Sequence, residues 1–78
     1  MILNSATNHP TPSFLIWRMT SHADEAQCVV NVGPLGLEVQ YIINGSMLYS
    51  YRFDRADEVL SWTTTKQLTL QKRGWERM

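Results

Sequence analysis

Tyr41-Ile-Ile-Asn-Gly-Ser-Met-Leu-Tyr-Ser-Tyr-Arg-Phe53 sets an Asn-Gly pair between two runs rich in β-branched and aromatic residues. Asn and Gly both tolerate positive φ, the requirement of a tight hairpin turn, so the stretch reads as two antiparallel strands, 37–43 and 47–53, joined at Asn44-Gly45. Register then decides what the tyrosines face. An uninterrupted two-residue turn pairs Ile42 with Met47 and Tyr41 with Leu48, which leaves Glu38 and Gln40 on the side of Met47, Tyr49, Tyr51 and Phe53. A three-residue loop Ile43-Asn44-Gly45, or a tight turn corrected by a bulge further along, instead gathers Leu37, Val39, Tyr41, Met47, Tyr49, Tyr51 and Phe53 on one face. Glu38, Gln40, Ser46, Ser50 and Arg52 collect on the other. A one-residue slip moves a whole apolar set to the wrong side, so a bulged register is expected, with the tyrosines in the core.

Working outward, Ser13-Phe-Leu-Ile-Trp-Arg-Met-Thr20 reads as a first strand and Ser21–Glu25 as its exit loop. Gln27–Val32 is a short β-branched second strand, closed by Gly33-Pro-Leu-Gly36. From Asp54 the period changes: Ala56, Val59, Leu60, Thr63, Gln67 and Leu70 recur at three- and four-residue steps, with Arg55, Asp57, Glu58 and Lys66 toward water. This predicts one amphipathic helix, N-capped by Asp54 and ended by Lys72, Arg73 and Gly74. With Gly74 left-handed, Trp75 falls where a Schellman ending folds it back toward Leu70. The fold class is therefore α+β: an antiparallel meander of four strands, or of three, with one C-terminal helix packed on one face. The expected organisation is a flexible N-terminal arm over 1–13, a single domain over 14–75 and a frayed C-terminus over 76–78.

Composition narrows the function. Seventy-eight residues make one domain near the lower limit for a single core, which keeps oligomerisation open. Seven basic side chains against seven acidic ones disfavour a protein devoted to gripping phosphate backbones. The single Cys28 excludes an internal disulfide and suits a reducing compartment. The start, MILNSATNHPTPS, has neither the basic region nor the apolar run of a leader or membrane span, so a cytoplasmic location is expected. His9 and His22 have no zinc-ligand spacing to Cys28, and no Ser or Cys is placed beside a base such as His22 with Asp24. Gly33-Pro-Leu-Gly36 lacks the Lys-Ser/Thr of a phosphate loop and leads into no helix. No enzyme, metal, cofactor, small-molecule ligand or membrane partner is expected.

The order of signals, Gly36-x-Glu38-x-Gln40, Asn44-Gly45, Ser50-x-Arg52-Phe53 and a helix running into Gly74-Trp75, resembles short uncharacterised bacterial proteins. Those share an antiparallel β-meander followed by one helix ending in Gly-Trp. The resemblance spans about residues 14–75 and implies a fold and a bacterial, cytoplasmic setting, but no activity.

One helix covers one face of a sheet, and the face away from it keeps Ile42 and Leu48, joined by Val29 and one parity of Phe14–Met19. A contiguous exposed apolar patch on a small chain marks an interaction surface, so Val29, Ile42 and Leu48 are the candidate protein-contact residues of an interaction module, with self-association into a homodimer as one form. The alternative is a small nucleic-acid-binding domain using the sheet and the basic helix end. Its contacts would be Arg18, Arg52, Lys66, Lys72, Arg73 and Arg77.

Overall fold

Three two-residue turns build the sheet of the computed structural model, which describes residues 12–78. Strand β1 (Ser13–Ser21) passes through His22-Ala23 to β2 (Asp24–Gly33), and β2 through Pro34-Leu35 to β3 (Gly36–Ile43). Asn44-Gly45 then leads to β4 (Ser46–Phe53), followed by helix α1 (Ala56–Lys72) and a short strand β5 (Glu76–Arg77). Every pairing is antiparallel, in the order β4-β3-β2-β1-β5. The α+β class and the meander are as expected. The fifth strand corrects the expected fraying of 76–78: Glu76 pairs with Thr20, Arg77 with Met19, and the Met78 N–H donates to the Arg18 carbonyl at 3.0 Å. Most of the expected arm, His9 included, lies outside the described residues. Pro12 and Ser13 already belong to the sheet, since Ser13 opens β1 and the Pro12 carbonyl accepts from the Val32 N–H at 2.9 Å.

The loop expected over Ser21–Glu25 is tighter than its composition suggests, because His22 takes a positive φ of 57° and Asp24 and Glu25 enter β2. Across the next turn, at the start of β3, Gly36 has φ +127°, and a Cβ there would sit 2.8 Å from the Phe53 carbonyl oxygen, so the position requires glycine. Asn44 (φ 50°) and Gly45 (φ 84°) make the tight turn. Ile43 faces Ser46 and Ile42 faces Met47; the register then slips, so that Tyr41 faces Tyr49 and Leu48 is the extra residue. Of the two registers that would rescue the faces, the tight turn with a bulge further along is the one adopted. Met47 is the correction: before the bulge it shares the face of Ile42, not that of the tyrosines.

The core lies between the sheet and α1. Trp17, Met19, Ala26, Cys28, Val30, Val39 and Tyr41 are buried from the strands, and Val59, Thr63 and Leu70 from the helix. Alternation puts these strand residues on one face, and the Trp17 Nε1–H donates to the Thr63 carbonyl at 3.0 Å, fixing the helix across the sheet. The helical period was right in type but partly wrong in detail. Ala56 and Leu60 face water, while Trp62 packs on the core and Lys66 lies over the tyrosines. The N-cap is Arg55, not Asp54, and makes no side-chain capping bond; its guanidinium instead forms a two-point pair with Asp57 at 2.9 and 3.0 Å. The far end is a Schellman ending as expected. Gly74 (φ 95°) donates to the Gln71 carbonyl, and the Trp75 N–H donates to the Leu70 carbonyl at 3.0 Å, which brings the indole back against the core and aims the chain at β1.

Candidate contact surface on the open sheet face

The sheet's two faces differ in what covers them. On the helix side an aromatic chain runs Trp17, Tyr41, Tyr49, Tyr51, with Trp62 of α1 edge-on to both outer tyrosines. Lys66 holds its ammonium 4.6 Å from the Tyr41 ring centre and 5.7 Å from that of Tyr49. Burial raises the Tyr41 phenol above its ordinary pKa, and the nearby Lys66 charge opposes that shift. Burial pushes the Cys28 thiol up to about 12, so it stays protonated and inert. Tyr41 and Tyr49 form an internal layer with Lys66 as its cationic cover, whereas Tyr51, expected in the core with them, is 48% exposed at the sheet edge.

The face away from α1 combines two polar networks with an apolar band. Along one side Ser13 Oγ donates to Asn31 Oδ1, and Glu38 Oε1 accepts from Asn31 Nδ2 at 3.3 Å and Gln40 Nε2 at 3.5 Å. Along the other, Glu25 Oε2 accepts from Arg18 Nε at 2.6 Å and from Gln27 Nε2 at 3.4 Å. Asn44 ties this end down: its side-chain carbonyl accepts from the Glu25 N–H and its amide donates to Asp24. Between the networks Leu15 lies opposite Val29 and Ile42 opposite Met47, with Val29 and Ile42 diagonal neighbours on adjacent strands. The four make an oblique apolar band across all four meander strands. Val29 and Ile42 are half-buried by their neighbours, and Leu15 and Met47 are each 54% exposed.

Of the expected contact residues, Val29 and Ile42 thus sit together, and Leu48 lies next to the band as the exposed extra residue of the bulge. Met47 was missed, and the expected contribution from one parity of Phe14–Met19 comes from Leu15. A second register shift, between Leu15 and Trp17, hides the parity of β1, and the β4 bulge changes the face of Met47. Neither shift has a local signature. The expected nucleic-acid contacts are not gathered on one surface. Arg18 and Arg52 stand on strands separated by β2 and β3, with Arg18 paired to Glu25 and Arg52 opposite Glu38. Lys66 and Lys72 belong to the helix on the other side of the sheet and Arg73 is its C-cap, while Arg77 pairs with Met19 in the edge strand. Among the described residues no three His, Cys, Asp or Glu side chains gather as a metal site, and no helix is long and apolar enough to cross a membrane. No family model matches the chain, and no curated protein or solved structure matches it either.

Proposed function

We propose that the chain is a small protein-interaction module whose contact surface is the sheet face away from α1, with a second copy as the simplest partner. The apolar band Leu15, Val29, Ile42, Met47 carries the reading, because it runs unbroken across four strands with no layer of the described residues over it. Its polar borders are already bonded among themselves, so covering the band need not strand them. The scattered, partly paired cations weigh against the nucleic-acid alternative, which needs a continuous basic surface. A bacterial, cytoplasmic setting belongs to the same proposal, and a free, buried Cys28 suits a reducing compartment.

A dilution series followed by methyl resonances tests the reading. The Val29, Ile42 and Leu48 methyls should shift with concentration in the wild-type chain, and those of Val29 should stop doing so in Ile42→Asp. If those methyls are indifferent to concentration and Leu48→Asp behaves as wild type, the reading fails. Binding to short duplex DNA with a steep fall in affinity on added salt would favour the alternative instead.

A further inference from the structure

The two edges of the sheet are closed unequally. β5 pairs with β1 only at Met19 and Thr20. Along the outer edge of β4, eight residues long, no strand of the described residues pairs. Antiparallel residues alternate between exchanging both backbone bonds with their neighbour and aiming them away. The two-residue turn makes Ile43 and Ser46 a bonded pair; counting on through the bulge gives Tyr49, Tyr51 and Phe53 to β3 and leaves the peptide groups of Ser50 and Arg52 on the free edge. Such an edge is complementary to an extended chain.

The side chains decide which chain. Ser46-Met-Leu-Tyr-Ser-Tyr51 holds no charge and no proline, the usual guards of an exposed edge, and Met47, Leu48 and Tyr51 are all about half exposed or more. We infer that the β4 edge pairs with the β4 edge of a second copy, antiparallel about a two-fold axis normal to the sheet. With Ser50 meeting its own counterpart, Tyr49 faces Tyr51 of the second copy on the helix side, and Leu48 faces Arg52 on the open side. No like charges meet, because the displacement keeps the two Arg52 side chains apart, and both cross-strand tyrosine pairs are of a stabilising type. On the helix side a shallow groove of about 580 Å³, lined by Phe53, Asp57, Glu58, Ser61, Trp62 and Thr65, leaves space beside the incoming aromatics. Another extended peptide could satisfy the same amides, but only the second copy brings this self-complementary side-chain pattern. The axis keeps both helices on one side, so the two open faces lie together on the other and their apolar bands become parts of one ten-stranded surface. This contact is separate from the open-face reading and does not rest on it.

Sedimentation equilibrium on the full chain, with Ser50→Pro, Ser50→Lys and Ile42→Asp, tests the inference. Proline at 50 removes an N–H that no β3 carbonyl uses, so far-UV circular dichroism should stay that of the wild type. Lysine keeps the N–H but sets two charges against each other at the axis. The wild-type chain should sediment at twice its 9.0 kDa mass, both Ser50 variants at the single mass, and Ile42→Asp still at twice. If the open face also self-associates, the wild type should reach four copies and each class of variant two, which supports both contacts. Hydrogen exchange adds a local readout: the Ser50 and Arg52 amides should be slow in the wild type and fast in Ser50→Lys. A monomeric wild type at millimolar concentration, or an assembly lost in Ile42→Asp and kept in both Ser50 variants, overturns the inference. Should Ser50→Pro unfold, Ser50→Lys and the two amides decide alone.

Discussion

The same four strands present two faces, and their residues alternate along one backbone, yet the faces obey different rules. On the helix side Trp17, Met19, Cys28 and Val39 are each no more than 2% exposed, and the polar atoms there are few and answered, as the indole N–H is by the Thr63 carbonyl. On the open side the polar groups hold one another in side-chain ladders and the apolar residues are half wet. Stability is therefore concentrated on one face, and the other is free to vary in what it touches.

Truncating one residue on each side should expose this contrast most strongly. Trp17→Ala removes a buried ring and its hydrogen bond and should cost about 3–5 kcal/mol, enough to unfold much of a domain this small. Leu15→Ala, in the same strand but 54% exposed, should cost less than about 1 kcal/mol. Urea titrations followed by circular dichroism measure both; equal losses would mean that the open face is part of the core.

Alkali gives the next largest effect. The Cys28 thiol titrates near 9.0 when unfolded and at about 12 when folded, so between those values only the unfolded chain gives up the proton. Raising the pH there favours unfolding, by up to about 1.4 kcal/mol per unit, while below pH 9 this contribution is fully present and constant. Cys28→Ala should flatten the dependence, with the buried Tyr41 phenol, also raised, leaving a residue of the same sign. A wild-type urea midpoint unchanged between pH 8 and pH 10.5 would contradict the burial of this thiol.

Smaller effects sharpen the picture of the open face. Ile42→Ala, at a half-buried site, should cost about 1 kcal/mol, well below the range for a fully buried isoleucine. Arg18→Ala breaks a 2.6 Å ion pair, but with both side chains about 40% exposed the loss should stay within about 0.5 kcal/mol and shrink with added salt. A loss of several kcal/mol at either site would mean that something already covers this face.

What was legible in the sequence follows from how local each cause is. The turn at Asn44-Gly45 and the Schellman ending at Gly74 could be read because their glycines answer a backbone requirement within a few residues. The slips after Leu15 and at Leu48 could not, since a bulge is settled by which side chains must share a face. Glu76-Arg77 carries no β signal of its own; it pairs because the Schellman turn delivers it beside β1. Lys66 looked like a solvent residue because periodicity counts charge as polar, while two tyrosine faces and a four-carbon stem make an inward position favourable. At the candidate surface, Val29 and Ile42 were legible from alternation, while the parity that brings Leu15 there and the face of Met47 were hidden by the same two slips.

The indole clasp between Trp17 and the Thr63 carbonyl joins positions 46 residues apart, and it has a consequence in time. During synthesis at about 5–20 residues per second, roughly 2–9 s separate the making of β1 from the making of the helix residue that holds it. The hairpins can close within microseconds of being made, so the meander exists first as a bare sheet with Trp17, Met19 and Cys28 uncovered. Once β4 is complete, roughly 0.5–2 s before Thr63 is made, the nascent chain presents apolar surface on both faces and an open β4 edge, and it is then that factors binding nascent chains have the most to hold.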